Sequence, residues 1–233
     1  MGKKEVSRKR RLQARRKAEK EQKLNYVVNS LKLLYRLAKA HDFFSKSAKK
    51  YKLDEQSIVN FYDPNLHYAY SNVKTLFLIV EAEGKKQRAR KVFNSYISKL
   101  SSLISQYEST EDIKAVDELT KKALKEYEAE SSENAFSHYI LFYSAEFINN
   151  LVSTIKNADE FKKIAECASP SRTVKARLTR KLEEFLRNSK ELIELIYFSN
   201  NLNLNIGNFP EARDNLEAIE TVLKRFGIII EKK

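Results

Sequence analysis

Apolar side chains recur at steps of three and four along most of this chain. Leu24, Val27, Val28, Leu31, Leu34, Tyr35 and Ala38 form one such row, which predicts a helix over 24–40 with a single buried stripe. In "FYDPN", Asp63 is placed to cap a second helix with Pro64 in its first turn; this helix is expected to run to Glu83 and, with Leu66, Tyr70, Val73, Leu76, Phe77 and Val80 inside it, to lie centrally. A third follows Gly84 through Val92, Tyr96, Leu100, Leu103 and Ile104, and a fourth starts at Ser109, with Asp112 at its third position, and ends around Glu130. The span 134–155 is apolar over a broad arc, as expected of a helix that is central to a bundle or touches other subunits. Ser169–Pro170 opens a helix reaching Tyr197. The asparagine-rich "FSNNLNLNIGNFPEA" reads as a loop, and a last helix runs from Pro210 to Phe226, closed by Gly227. The closing "IIIEKK" reads as a short strand or a packed tail.

Composition sharpens this into an all-α expectation. Only four glycines and three prolines punctuate 233 residues, too few for many short strands and turns. The longest purely apolar run, "LFLIV" at Leu76–Val80, is too short to cross a bilayer as a helix, and the basic N-terminus has no apolar core behind it as a secretion signal would. The expected object is a helical bundle-like assembly domain, residues 24–233, carrying a basic N-terminal helical arm, residues 1–23.

Charge changes the picture most. The chain carries +13, and "KKEVSRKRRLQARRKAEKEQK", Lys3–Lys23, holds eleven basic and three acidic residues and nothing apolar larger than Leu12. The basic set is Lys3, Lys4, Arg8, Lys9, Arg10, Arg11, Arg15, Arg16, Lys17, Lys20 and Lys23. With no stripe to dock on its own core and with like charges repelling, the arm is expected to stay frayed until an anion or a groove orders it. Twenty helical residues span about 30 Å, over which a duplex presents roughly 18 phosphate charges, so the arm suits a long polyanion. Its arginines match phosphate geometry, and with only Gln13 and Gln22 as base-reading side chains it favours contact without sequence preference. A membrane-surface or targeting role and a merely solubilising tail are the competing readings of the same charge. Two further basic clusters accompany it. "GKKQRARK" contributes Lys85, Lys86, Arg88, Arg90 and Lys91, and "SRTVKARLTRK" contributes Arg172, Lys175, Arg177, Arg180 and Lys181 in the first turns of a helix, where the helix dipole disfavours cations unless they meet an anion; an ordinary solvated face is the competing reading of both.

Candidate chemistry is sparse. The single cysteine, Cys167, excludes an internal disulfide and four-cysteine zinc patterns. His41, His67 and His138 lie far apart without metal-ligand spacing, and the glycines at 2, 84, 207 and 227 form no phosphate loop. A non-enzymatic protein without metal or cofactor is expected. The twelve tyrosines and thirteen phenylalanines read mainly as packing.

In layout, the chain resembles the major capsid proteins of filamentous archaeal viruses. The arm residues Arg8, Arg10, Arg11, Arg15, Arg16, Lys17 and Lys20 match that family's DNA-facing helix as a charge pattern, and the tyrosine-rich, glycine-poor helical remainder matches its outer domain, although it is larger than a simple four-helix bundle needs. The resemblance implies a dimer with itself or a similar paralogous subunit, arms wrapped on double-stranded DNA rather than RNA, and a helical polymer in a virion with or without an envelope. The runner-up is a soluble, intracellular, non-catalytic RNA- or DNA-binding subunit of a ribonucleoprotein or chromatin-like complex.

Overall fold

The computed structural model describes residues 3–51, 65–82, 87–107, 109–130, 135–167, 171–199 and 206–231. Among them are eight α-helices and no strand: α1 Lys3–Lys50, α2 Asn65–Ala82, α3 Gln87–Ile104, α4 Thr110–Ala129, α5 Ala135–Lys156, α6 Ala158–Cys167, α7 Arg172–Ser199 and α8 Pro210–Arg225, with a 3-10 turn at Ile206–Asn208. None of these helices is long and apolar enough to cross a membrane.

The fold is organised around α1, which packs against α2, α3 and α7. Between Leu24 and Ala48 it buries two adjacent rows. One follows Leu24, Val27, Val28, Leu31, Leu34 and Ala38; the other follows Tyr26, Leu33, Leu37, Ala40 and Phe44. The first is the stripe the periodicity predicts. The second makes α1 an axis rather than a wall of the bundle, and carries the helix ten residues beyond the expected end at 40.

Expected starts and stops recur where local chemistry dictates them. Ser109 caps α4: its hydroxyl oxygen accepts from the Asp112 amide at 3.2 Å and its hydrogen is donated to the Asp112 carboxylate. The end of α8 is a Schellman turn, in which Gly227 at φ 74° donates to the Lys224 carbonyl and Ile228 donates to the Leu223 carbonyl. Asp63, Pro64, Gly84, Ser169 and Pro170, named above as helix starts or breaks, lie outside the described residues. Two elements differ from expectation. Residues 158–167 form a separate short helix, α6, after a break at Asn157, and α7 runs on to Ser199, two residues into the expected loop, whose described part contains the 3-10 turn that buries Ile206. The "IIIEKK" segment forms no strand among its described residues. It runs back along α7, where the Glu231 amide donates to the Glu194 carboxylate at 3.2 Å.

Aromatic side chains lock the helices at two junctions. Phe44 of α1 stacks on Phe161 of α6 at 4.2 Å, and Phe161 meets Phe185 of α7 edge-on at 5.1 Å. His41 completes this box, edge-on to Phe161 at 4.9 Å. Its Nε2 lies 3.1 Å from the Thr154 carbonyl; a carbonyl can only accept, so this nitrogen donates. Phe77 stacks on Phe93 at 3.5 Å to join α2 to α3.

Burial also governs the phenols. It pushes Tyr26 up to about 12, and Tyr70, Tyr107 and Tyr143 likewise to about 12, with nearby carboxylates adding to the effect at Tyr70, Tyr107 and Tyr143. Tyr26 is sealed where α1, α5 and α7 meet. Ser30 and Ser199 beside it donate their own hydrogens to the Tyr26 and Ile196 carbonyls, and the Tyr26 hydroxyl and Ser144 Oγ have no hydrogen-bond partner among the described residues.

Two outcomes follow. Since the folded state holds these phenols protonated above their ordinary value of 10, their contribution is complete below about pH 10 and is lost as pH rises towards 12. Urea unfolding from pH 8 to 12 is expected to show a flat midpoint and then a steep fall, and Tyr26→Phe is expected to soften the fall, because it removes a phenol that burial holds protonated. At the junction of α1, α6 and α7, Phe161→Ala is expected to cost about 3–5 kcal/mol. A loss under about 1 kcal/mol in the same titration would contradict the aromatic box as a packing centre.

Candidate nucleic-acid interface

The arm is helical from Lys3, as the first six turns of α1, rather than frayed. The physical reason is continuity. An isolated helix must nucleate, whereas one that leaves a docked segment only has to propagate, and the arm consists mainly of strong helix formers. Lys3, Lys4, Arg8, Lys9, Arg10, Arg16 and Lys20 thus share one rod with Arg11, Arg15 and Lys17, whose side chains are exposed. The exposed positions 11, 13, 14, 15, 17, 18, 21 and 22 cover more than half of the circumference.

Lys23 departs from this set. It is only 5% exposed, paired at 3.1 Å with Glu19 one turn earlier, with its ammonium 5.1 Å from the Phe136 ring centre on α5. A lysine held between a carboxylate and a ring is withdrawn from an external anion. It marks where α1 enters the bundle, and the hydrophobic core begins at the next residue, Leu24.

The other predicted cations divide. Lys85 and Lys86 lie outside the described residues. Arg88 stands in the first turn of α3. Arg90 pairs with Glu81 of α2 at 3.3 Å, which ties α3 to α2 and leaves it partly neutralised. Arg172 and Lys175 are exposed on the first turns of α7.

The structure brings α7's cations to a place the sequence did not indicate. α1 and α7 run antiparallel: Arg36 reaches Asn188 at 3.4 Å, while Arg177 lies 5.3 Å from the ring centre of Phe43. The basic start of α7 therefore lies against the far end of α1. Between them is a trough formed by two adjoining hollows of about 250 and 380 Å³, both lined by Lys39 and Lys181. Arg36, Lys46, Lys50 and Arg177 supply its other cations, and Tyr96 of α3 closes one side.

Its two acids are already engaged. Asp42 accepts from Lys46 at 2.9 Å and from the Tyr107 hydroxyl at 2.7 Å. Glu184 takes a hydrogen bond from Lys181 at 2.6 Å, which, with the charges of Lys181, Arg187 and Lys39, holds its carboxyl below the usual carboxylate range against the opposing effect of burial. Lys39, Lys50 and Arg177 have no carboxylate partner among the described residues.

Sequence reasoning passed over Lys39, Lys46 and Lys50, although a signal was present. The solvent row of α1 reads Arg11, Arg15, Ala18, Gln22, Asn25, Asn29, Lys32, Arg36, Lys39, Phe43, Lys46, Lys50, with Glu21 as the exposed acid beside it. Charge elsewhere balances differently: α3 holds four basic residues and no acidic one, while α4 and α8 each hold more acids than bases. The domain is thus electrically polar, basic on the side of α3, α1 and the start of α7.

A second surface is apolar. Tyr139, Phe142 and Tyr143 follow one another on α5, with Phe142 40% exposed and Tyr127 of α4 edge-on to Tyr139. Among the described residues, no group of histidine, cysteine, aspartate and glutamate is arranged to hold a metal ion. Compared with protein-family models, characterised proteins and solved structures, the chain matches none.

Proposed function

We propose that this protein is a structural nucleoprotein subunit that coats double-stranded DNA without sequence preference and polymerises on it as a helical filament. The observation that carries the reading is α1 itself, a single 48-residue helix whose buried part is the axis of the bundle and whose first six turns carry the +8 arm. Such a rod presents phosphate-matching charge at a fixed position relative to the domain. That is what a coat requires: contact with any sequence, and geometry that repeats from one copy to the next. The arm offsets only about half the phosphate charge over its own length, so neighbouring copies complete the neutralisation. The layout similar to the coat proteins of filamentous archaeal viruses supports the same reading, and it favours DNA over RNA, a paired subunit and a virion.

Self-association has candidate surfaces. Tyr139, Phe142 and Tyr143 offer a half-exposed aromatic patch, and Ile229, 78% exposed, stands over a hollow of about 620 Å³ between α7 and the C-terminal tail. Aromatic residues of this kind are enriched at protein interfaces.

Binding to random-sequence duplex DNA is expected to weaken linearly in log–log form as salt rises, with a slope of roughly −5 to −7 for six to eight phosphates contacted by the arm. Neutralising Arg8, Arg11, Arg15 and Arg16 to Gln is expected to make that slope shallower by about 3 to 4 with the thermal midpoint unchanged; an unaltered slope would remove the arm from the interface. Electron microscopy of the protein mixed with linear duplex is expected to show uniform filaments, and Phe142→Ser is expected to shorten or abolish them while leaving binding at low protein density intact. Discrete particles of one or two copies on structured RNA, with no filaments on DNA, would overturn the coat reading in favour of a ribonucleoprotein subunit.

A further inference from the structure

The arm accounts for one end of α1 and leaves the other unexplained. The trough between residues 36–50 of α1 and the first turns of α7 concentrates six cations: Arg36, Lys46 and Lys181 are paired with Glu191, Asp42 and Glu184, while Lys39, Lys50 and Arg177 have no carboxylate partner among the described residues. Nothing in folding demands this. Packing α7 on α1 needs only the apolar rows that contain Leu178, Leu182 and Phe185, and gathering like charges along the seam opposes that packing. Phe43, on the floor of the trough, has Arg177 at 5.3 Å and Lys181 at 5.9 Å from its ring centre. Those contacts hold the two cations in place, Arg177 without a carboxylate partner among the described residues and Lys181 while paired with Glu184, which lowers the entropy lost when an anion arrives. The cations come from two helices rather than one, so the site is created by the fold.

We infer that this trough is a second phosphate-contacting site, which takes a stretch of nucleic-acid sugar-phosphate backbone separate from the one on the arm. The inference rests on the nucleic-acid reading above and deepens it. The middle of the arm, near residue 12, and Phe43 are 31 residues apart on one helix, or about 46 Å, a length over which a duplex presents on the order of 27 phosphate charges. The arm and the trough therefore bear on different phosphates. The solvent row of α1 from Arg11 to Lys50, with the exposed Glu21 beside it, links them, so each subunit holds its polyanion at two points and fixes its angle to the strand, which a single arm does not.

The test uses the full chain. Lys39, Lys50 and Arg177 are chosen for Gln substitution because none has a carboxylate partner among the described residues, so neutralising them orphans no acid. A control of equal charge change, Lys114→Gln, Lys125→Gln and Lys224→Gln, sits on α4 and α8 at exposed positions away from the trough. Affinity for random-sequence duplex DNA is measured against salt concentration for the wild type and both variants, with circular dichroism melts to verify folding and sedimentation to follow self-association. The trough variant is expected to have a slope shallower by about 2 to 3 and the control a slope within about 0.5 of the wild type. Equal slopes for the wild type and the trough variant overturn the inference while leaving the arm's role standing. An unchanged slope with lost self-association also overturns it and assigns the trough to an acidic protein surface. If the wild type itself fails to bind duplex DNA with salt dependence, the nucleic-acid reading fails and the trough's assignment fails with it.

Discussion

The structure depends on one constraint: a single unbroken helix has to be both buried axis and exposed rod. From Leu24 to Ala48, α1 turns two apolar rows into the core and only one narrow row to solvent. Every other helix is placed directly or indirectly by those rows, with α2, α3 and α7 against them, α5 on α2, α8 on α5 and α6 on α7. Because the hydrogen-bond ladder does not stop at the core's edge, the same packing that orders the bundle also orders the charged turns before it. Burial at one end thus fixes the direction of charge at the other.

Lys23 shows how the transition is made. A purely charged rod leaving an apolar core needs a residue compatible with both, and a lysine that lies over Phe136 while pairing with Glu19 meets that need. The buried polar groups deeper in the bundle follow a similar logic. His41 is satisfied by a helix carbonyl and fitted edge-on among phenylalanines, and Ser71 pairs with Thr120 at 2.9 Å to fasten α4 to α2. Tyr26 is the exception, a sealed hydroxyl with no hydrogen-bond partner among the described residues.

Charge in this molecule is distributed by helix rather than scattered. Most ion pairs within the domain join residues three or four apart on one exposed helix, such as Lys121–Glu118 and Lys163–Glu160, and contribute little to stability. The arm and the trough are different. There cations outnumber acids even after the pairs Lys46–Asp42 and Lys181–Glu184 are counted, and the remaining positive field extends into solvent. That imbalance distinguishes the proposed functional surfaces from ordinary solvated faces.

The sequence by itself determined the all-helical class, most of the helices, the cap at Ser109, the two ends of α8 and the excess of charge in the arm. Periodicity of apolar residues, Ser109 with Asp112, Pro210 and Gly227 are local signals, readable because the atoms that satisfy one another lie within a few residues. The surplus of charge in residues 3–23 was legible for the same reason. Tertiary structure alone decided that α1 is an axis with two buried rows, that Lys23 belongs to the core's edge, and that the cations at the start of α7 meet Lys39, Lys46 and Lys50 across a trough. Arg177 and Phe43 are 134 positions apart in the chain, and no local pattern encodes which side of an antiparallel partner a charge will face. That is set by how the apolar rows of α1 and α7 interlock, a property of two surfaces together that neither stretch of sequence contains.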